Sequence, residues 1–426
     1  MISGLIIGSF LVLMLLGVPV CVALGLATAG AMLVGGYDLI LLPQRMAASI
    51  QSIELIAIPF FILAANLMNA MGITRDIFNF ANALVGGFRA GLAHANVVAS
   101  IIFSGISGAA IADAAALGSI SMTEMPKAGY TRPFAGAVVI ASSTIGPLVP
   151  PSIMMIIYSV TAEVSVARLF LAGIIPALLV AFGLMVTLYF LARTGRIQYP
   201  EPTPFSISRA WDAGKKAFLA LLAPLVIFRG MATGLTTVAE AGIIAVLYSL
   251  VLGTLQGRVT VAGIVKAARE SVESAALVMY IIAVSSAISW VVIHEGTAAS
   301  LASFVTGYSN SALLFFLIAN AFLIIIGAVI ETVPALLISV PILLPTAKAV
   351  GIDPVQFGIV VIFNLVVSIM TPPIGIGLYL LIAISKVRFG DLVVATIPFH
   401  MVLLAVLLVL ILVPGVTLLL PHLVLG

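Results

Sequence analysis

The stretch SSTIGPLVPPS, residues 142–152, lies between apolar runs but has the composition of a helix break. It contains three prolines, one glycine and four hydroxyl side chains. Proline removes a backbone donor and clashes with the preceding turn, so a helix cannot continue unbroken through this stretch. In hydrocarbon, the backbone groups that a break frees are tolerated only where they line a protein-enclosed or water-filled cavity. The stretch therefore predicts a discontinuous helix beside a cavity.

The composition places the whole chain in a membrane. Of its 426 residues, 63% are hydrophobic and 8% are charged, whereas soluble proteins carry about 25% charged residues. Apolar runs long enough to cross about 30 Å of hydrocarbon as a helix recur along the chain. The first twenty residues lack the basic region of a signal peptide, so we expect them to form a retained membrane segment. The sequence predicts an all-α polytopic membrane protein, because the short alternating segments of a β-barrel are missing.

Several classes of function are excluded by the sequence. It contains no G-x-x-x-x-G-K-[ST] phosphate loop, so we expect neither ATP hydrolysis nor an enzyme. The single cysteine, Cys21, offers no disulfide and no cysteine metal site. No cofactor is expected, and no transition metal or nucleic acid. No role is assigned to the four histidines, which lack metal-site spacing: His94, His294, His400 and His422.

The longest polar interval, 192–216, predicts a linker that divides the chain into two halves of nearly equal length, 1–191 and 217–426. Two apolar stretches, 89–125 and 311–347, are interrupted by glycine or acidic residues and predict re-entrant helical hairpins. The remaining apolar runs predict membrane segments near 3–18, 20–36, 53–72, 133–160, 167–192, 217–235, 237–256, 275–293, 353–385 and 391–420.

The distribution of positive charge predicts the orientation, because basic residues of membrane proteins concentrate in cytoplasmic loops. With the linker in the cytoplasm, fourteen of the eighteen Lys and Arg side chains, Arg196 among them, fall on that side. The four external ones are Arg45, Arg168, Arg229 and Lys348. Both termini then lie outside. If residues 3–36 form one kinked helix rather than two, only the N-terminus changes side.

A shift of 222 residues brings the two halves into register. It places Gly105 on Gly327 and Pro150-Pro151 on Pro372-Pro373, so NLVVSIMTPPIG (364–375) predicts a second broken helix. The hairpins enter from opposite sides in the predicted topology, so the repeats are inverted. Inverted repeats with paired broken helices are typical of secondary transporters whose site lies near the bilayer midplane. Freed carbonyls there coordinate cations, and half-helix N-termini favour anions.

Four stretches resemble the large membrane subunit of tripartite ATP-independent periplasmic (TRAP) transporters: IPFFILAANLMNAMGIT (58–74), FSGISGAAIADAAALGS (103–119), IGPLVPPSI (145–153) and TPPIGIGLYL (371–380). The resemblance implies an elevator-type, sodium-coupled importer of an organic acid, such as a C4-dicarboxylate or sialic acid, in a bacterial inner membrane. It implies two partners, a small four-helix membrane subunit and a periplasmic substrate-binding protein. We expect the small subunit to be a separate chain.

The resemblance also implies two sodium sites, each between a hairpin tip and a broken helix. The first comprises Ser104, Gly105, Ser107, Gly108, Ser142, Ser143 and Thr144. The second comprises Gly327, Glu331, Thr332, Asn364, Ser368 and Thr371. The substrate anion would lie between them, near Ser107, Pro150, Asn364, Thr371 and Pro372. The second tip reads Glu-Thr-Val-Pro where the family pattern is Asp-Thr-Thr-Pro, which leaves its ligand set open.

Alternatives remain for the two acidic residues of the hairpins. Asp113 is either a charge behind the first cation site, or a proton carrier, or a hydrogen-bonded structural acid. Glu331 is either functional, as intramembrane acids tend to be, or hydrated at a tip that reaches water. SGISG (104–108) also fits close helix packing. Proton coupling, and further a channel or a membrane scaffold, are the alternative functions. Glu240 after two threonines predicts a helix N-terminus.

Overall fold

The computed structural model describes residues 2–195, 197–200, 204–296, 303 and 311–425, so Arg196 lies outside the described residues. Within these ranges the chain is helical and contains no strand. The α-helices whose bounds the described ranges give are α1 (Ile2–Leu15), α2 (Val20–Val34), α3 (Leu41–Ser49), α4 (Ala57–Ala70), α5 (Ile73–Val85), α6 (Gly91–Ser107), α7 (Ala110–Lys127), α8 (Arg132–Ser143), α9 (Ile153–Ala162), α10 (Val166–Arg193), α11 (Ile207–Ala232), α12 (Val238–Leu255), α13 (Val261–His294), α14 (Ala312–Val329), α15 (Thr332–Ala349), α16 (Pro354–Ser368), α17 (Ile376–Ser385), α18 (Phe389–Leu412) and α19 (Gly415–Leu425).

Seven of the described helices are long and apolar enough to cross a membrane, or eight spans if the bent pair α8–α9 counts as one. They are α4 together with the 3₁₀ turn that precedes it, α10, α12, α13, α14, α15 and α18. The prediction of an all-α polytopic membrane protein is therefore confirmed.

Both proline-rich stretches interrupt a helix, as their sequences predict. α8 and α9 are separated by a 3₁₀ turn at Gly146–Leu148 and bent by 43°. α16 and α17 are separated by residues 369–375. The peptide bonds Pro150-Pro151 and Pro372-Pro373 are cis. Each predicted segment at these positions is thus a pair of half-helices.

The two predicted hairpins are pairs of packed helices, α6 with α7 and α14 with α15. α7 spans 110–127 and α15 spans 332–349, so both of their limits differ by 222. The last residues of α6 and α14, Ser107 and Val329, differ by the same offset. Equivalent helices therefore occupy equivalent positions in the sequence, while the inverted repeat and the membrane topology of the hairpins stay predictions.

Helix limits differ from three predicted segments, of which the one near 275–293 begins at Val261 in α13. Residues 207–216, assigned to the linker, form the first turns of α11, because the linker prolines at 200, 202 and 204 all precede them and Ser206 caps the helix. The predicted single segment 391–420 is two helices, since α18 ends at Leu412 and α19 begins at Gly415. Pro414 between them lacks the amide donor that a continuous helix needs.

The two broken helices pack against each other. The buried Tyr158 of α9 donates a hydrogen bond of 2.6 Å to the carbonyl of Pro354, at the start of α16. The 3₁₀ turn of the first break also packs against α16. The hairpins contact these broken helices, and α4 packs mainly against α12 and α13. The N-terminus predicted around Glu240 is confirmed, because Thr237 and Glu240 form a capping box on α12.

Ser152 is the N-cap of α9, where the first broken helix resumes. Its buried hydroxyl donates to the Pro147 carbonyl at 2.7 Å and accepts from the amide of Met155 at 3.3 Å. Ser152→Ala removes this N-cap and leaves buried backbone groups unpaired. We expect the free energy of unfolding to fall by about 2 kcal/mol, measured by denaturation of the purified protein. Ser165→Ala, which removes the exposed N-cap of α10, is the control and should cost less. Equal losses in the two variants would contradict a buried role for Ser152.

Candidate functional site

The tip of each hairpin, where its two helices meet, is hydrogen-bonded to the point where a broken helix resumes after its break. In the first half the amide of Ile153 donates to the carbonyl of Gly108 at 3.2 Å. In the second half the amide of Gly375 donates to the carbonyl of Ala328 at 3.1 Å. Ile153 and Gly375 differ by the sequence offset of 222. The structure thus brings each tip against the break in its own half. We call these two contacts the first and the second junction.

Asp113 lies at the centre of the first junction. Its side chain is 0% exposed, and its carboxylate accepts hydrogen bonds from Ser104 at 2.6 Å and from Ser107. Gly146 of the break is so close that an added Cβ would lie 2.7 Å from Oδ2 of Asp113. Within the ranges that the structure describes, no basic side chain forms a salt bridge with Asp113. A buried carboxylate without a positive partner favours binding of a cation or a proton, because an isolated buried charge costs several kcal/mol.

The three hydroxyl side chains that precede the first break do not hydrogen-bond to this carboxylate. Ser143 and Thr144 donate to carbonyls of their own helix, at 2.8 and 2.6 Å. Ser142 accepts a hydrogen bond of 2.6 Å from Asn96. The predicted first site is therefore divided into an Asp113 group at the tip and a Ser142 group along α8.

The first break is enclosed by protein and leaves carbonyl oxygens free. Residues 142–152 are buried, apart from a half-buried Val149. The carbonyls of Thr144, Pro150 and Pro151 accept no hydrogen bond from any other described backbone amide. Gly105 lies near one of them, since an added Cβ would be 3.7 Å from the Pro150 oxygen. Such carbonyls and the hydroxyl lone pairs of Ser104 and Ser107 are hard oxygen donors, which suit Na⁺ better than a soft metal.

The second junction is built from amides and hydroxyls. Ser368 donates to the carbonyl of Asn364 at 2.8 Å and lies against Gly327, where an added Cβ would be 2.7 Å from the Ser368 Cβ. Asn364 donates to the side chain of Asn320 at 2.6 Å. Thr371 donates to the Val367 carbonyl at 3.1 Å.

The second tip and break differ from the first in exposure. Glu331 is half-buried at the N-cap of α15, makes no capping hydrogen bond, and is followed by the buried Thr332. Pro372 is exposed, whereas its counterpart Pro150 is buried. No hydrogen bond between described side chains joins Ser107 or Pro150 to Asn364, Thr371 or Pro372. The residues predicted to surround the substrate thus fall into two groups, one at each hairpin tip and its break.

Three side chains near these groups were missed by the sequence interpretation: Asn96, Asn320 and His400. Nε2 of His400 lies 2.9 Å from the Thr371 hydroxyl, so this histidine, to which no role was assigned, contacts the second break. All three are polar residues in apolar helices. Because polar side chains inside a membrane are costly and often functional, that was the signal that could have indicated them.

The sequence pattern of one family matches residues 7–416, almost the whole chain. That family is described as the tripartite ATP-independent periplasmic transporter, DctM component. The chain belongs to this family. The resemblance found in four short stretches therefore extends over both halves, and the chain is the large permease component of a TRAP transporter.

The relatives of this chain carry the same assignment in their names. The chain is 40% identical to the sialic acid TRAP transporter large permease protein SiaM of Vibrio cholerae over 90% of each chain. It is 36% identical to the C4-dicarboxylate TRAP transporter large permease protein DctM of Pseudomonas aeruginosa over 86% of each. It is 31% identical to the 2,3-diketo-L-gulonate TRAP transporter large permease protein YiaN of Escherichia coli, over 93% of this chain and 96% of that protein. These relatives are transporter permeases, not enzymes.

The fold of this TRAP permease also resembles that of a more distant transporter. The YdaH transporter of Alcanivorax borkumensis, whose crystal structure has an unusual topology, superposes with a TM-score of 0.64 at 14% identity. The match covers 88% of this chain and 87% of that protein. At this identity the likeness concerns the fold alone.

Proposed function

We propose that this permease imports an organic carboxylate together with Na⁺. The observation that carries the proposal is the buried Asp113, which has two hydroxyl partners and no salt bridge among the described residues, beside a break in which three carbonyls accept no hydrogen bond from a described backbone amide. A cation there balances the buried charge and is coordinated by hard oxygen atoms. We assign one cation to the Asp113 group, with Ser104, Ser107 and the first-break carbonyls, and one to the second junction.

The relatives and the helix breaks support a carboxylate as the substrate class. Sialic acid, C4-dicarboxylates and 2,3-diketo-L-gulonate, named for the relatives, all carry a carboxylate. The substrate carboxylate would lie between the junctions, near the N-termini of the half-helices α9 and α17, whose dipoles favour an anion. Ser107, Pro150, Asn364, Thr371 and Pro372 are assigned to its surroundings.

The transport cycle that we propose is an elevator movement. The hairpins and broken helices move as one unit past α4, α12 and α13. The hydrogen bonds between hairpins and broken helices support this, because they would be internal links of the moving part. The 222-residue offset between helix limits supports two inverted repeats, 1–191 and 217–426, joined across 192–216. The partners are a small membrane subunit and a periplasmic binding protein. We place the permease in the bacterial inner membrane with both termini in the periplasm.

Proton coupling is the second candidate, because the same carboxylates favour it. Asp113 is buried without a basic partner, and Glu331 makes no capping hydrogen bond. Either acid could carry one proton per cycle in place of a cation. A channel or a scaffold has no comparable support, since two different tips do not form a ring of identical segments.

Thermal unfolding in sodium chloride against choline chloride, at matched ionic strength, tests the coupling ion. A ligand that binds the folded state stabilises it by mass action, about 1.4 kcal/mol at ten times its Kd. We expect a saturable, sodium-specific rise in Tm for the purified permease that is reduced in Ser107→Ala and Glu331→Gln. An unchanged Tm over a wide sodium range contradicts sodium coupling, and a response to pH instead supports the proton alternative.

A further inference from the structure

Asn96 joins three helices of the first half through one buried amide. Its Nδ2 donates to the Ser142 hydroxyl at 2.6 Å, and its Oδ1 accepts from the Ser121 hydroxyl at 2.6 Å. Ser142 in turn donates to the carbonyl of Val139 at 3.1 Å. Asn96, Ser121 and Ser142 are each 0% exposed. The amide therefore holds both arms of the hairpin, α6 and α7, to the last turn of α8.

Asn320 makes the equivalent link in the second half. Its Oδ1 accepts from Nδ2 of Asn364 at 2.6 Å, and its backbone carbonyl accepts from the same nitrogen at 3.1 Å. Its own Nδ2 donates to the carbonyl of Phe316 at 2.7 Å. Asn364 is 0% exposed. This pair holds the first arm of the second hairpin, α14, to α16, shortly before the second break.

The two links arise from different positions in the sequence. Ser142 and Asn364 differ by the repeat offset of 222, but the residue 222 positions after Asn96 is Ile318, two positions before Asn320. The half-helix end of each link is thus in register, while the hairpin end is not. Because both halves form the link from different residues, the link itself is the common feature.

We propose that Asn96 and Asn320 are positioning residues that set the distance between each hairpin tip and its break. This inference rests on the proposed function, because the cation sites lie where tip and break meet. Each asparagine fixes a half-helix to the hairpin arm one turn or more before that junction. In the low dielectric of the interior such hydrogen bonds are strong, and loss of one partner leaves the other unpaired. Neither asparagine touches the cation; each acts through Ser142 or Asn364.

A structural role alone predicts lower stability with an unchanged affinity for sodium. A positioning role predicts weaker sodium binding in addition. The chain offers a control, because Nδ2 of the half-buried Asn66 donates to the Ser271 hydroxyl at 2.9 Å and so joins α4 to α13 rather than a hairpin arm to a half-helix. Asn66→Ala removes an amide–serine bond of the same kind without changing a tip or a break.

The experiment is a sodium titration of Tm for the purified full-length permease, which gives an apparent Kd for sodium in each variant. We expect Asn96→Ala and Asn320→Ala to raise this Kd about tenfold, and Asn66→Ala to lower Tm with less than a twofold change in Kd. The double variant Asn96→Ala with Ser142→Ala should bind sodium no more weakly than the weaker of its two single variants. If Asn96→Ala does not fold, Asn96→Ser and the Asn320 variant provide the same comparison.

Two results overturn the inference. If the wild type responds to sodium and both asparagine variants keep its Kd while losing Tm, the residues are structural only and the proposed function stands. If the wild type shows no sodium response, the proposed coupling and this inference both fall.

Discussion

Asp113→Asn is expected to remove the part of the sodium-dependent rise in Tm that the first junction supplies and to lower sodium-driven uptake about a hundredfold. The substitution keeps the size of the side chain but removes its charge. In the wild type the hydroxyls of Ser104 and Ser107 donate to the carboxylate, whereas the amide of the asparagine would place a donor against one of them. Charge-assisted hydrogen bonds contribute about 1.5–3 kcal/mol each, and about 2.8 kcal/mol corresponds to a hundredfold change in affinity. Uptake into proteoliposomes with the partner subunits, and the sodium titration of Tm, measure the two effects.

An exposed carboxylate provides the control for this substitution. Glu273 lies on α13, is largely exposed and pairs with Arg269 at 2.9 Å. Glu273→Gln removes the same charge from the chain but not from the site, so uptake and sodium response should match the wild type. A normal sodium response in Asp113→Asn would show that the cation does not depend on this carboxylate. If Tm responds to pH, and Asp113→Asn removes that response while Glu273→Gln does not, the proton alternative is favoured.

The helix breaks and hairpins could be predicted because their causes are local. Proline removes a donor at its own position, so SSTIGPLVPPS and NLVVSIMTPPIG indicate where a helix stops whatever packs around them. The arms of both hairpins lie within two residues of the predicted 89–125 and 311–347 limits. Composition alone predicts the membrane class. Boundaries failed where the local signal was misread, as for residues 207–216, which contain no proline.

The partners of the buried polar side chains could not be predicted, because they depend on packing between distant helices. Asn96 and Ser142 are 46 residues apart, and Asn320 and Asn364 are 44 apart. The sequence indicated that Ser142 and Asn364 are polar residues beside a break, but not that each is already bonded to a hairpin arm. The same limit applies to Asp113, for which the sequence left three roles open, and to His400 of α18, which contacts Thr371 in the second break.

Gly108→Ala is expected to separate the first tip from its break. Gly108 has a φ of +61°, and an added Cβ would meet the carbonyl oxygen of Pro151 and lie 3.0 Å from the Cα of Ser152. These neighbours are backbone atoms of an enclosed segment, so they cannot turn away as a flexible side chain would. The hydrogen bond from the Ile153 amide to the Gly108 carbonyl would be lost or lengthened. We expect unfolding to become easier by about 3 kcal/mol or more, with loss of sodium-driven uptake.

Gly129→Ala separates the two causes of that effect. Gly129 also has a positive φ, +96°, but an added Cβ there has no neighbour within 4 Å. Gly129→Ala therefore has the conformational cost of a left-handed alanine, about 1–2 kcal/mol, without the clash. If the clash at the junction matters, Gly108→Ala loses more stability than Gly129→Ala in thermal or denaturant unfolding and alone loses the sodium response. Equal losses of stability with intact sodium binding in both would mean that the left-handed conformation, not the contact between tip and break, is what requires glycine at position 108.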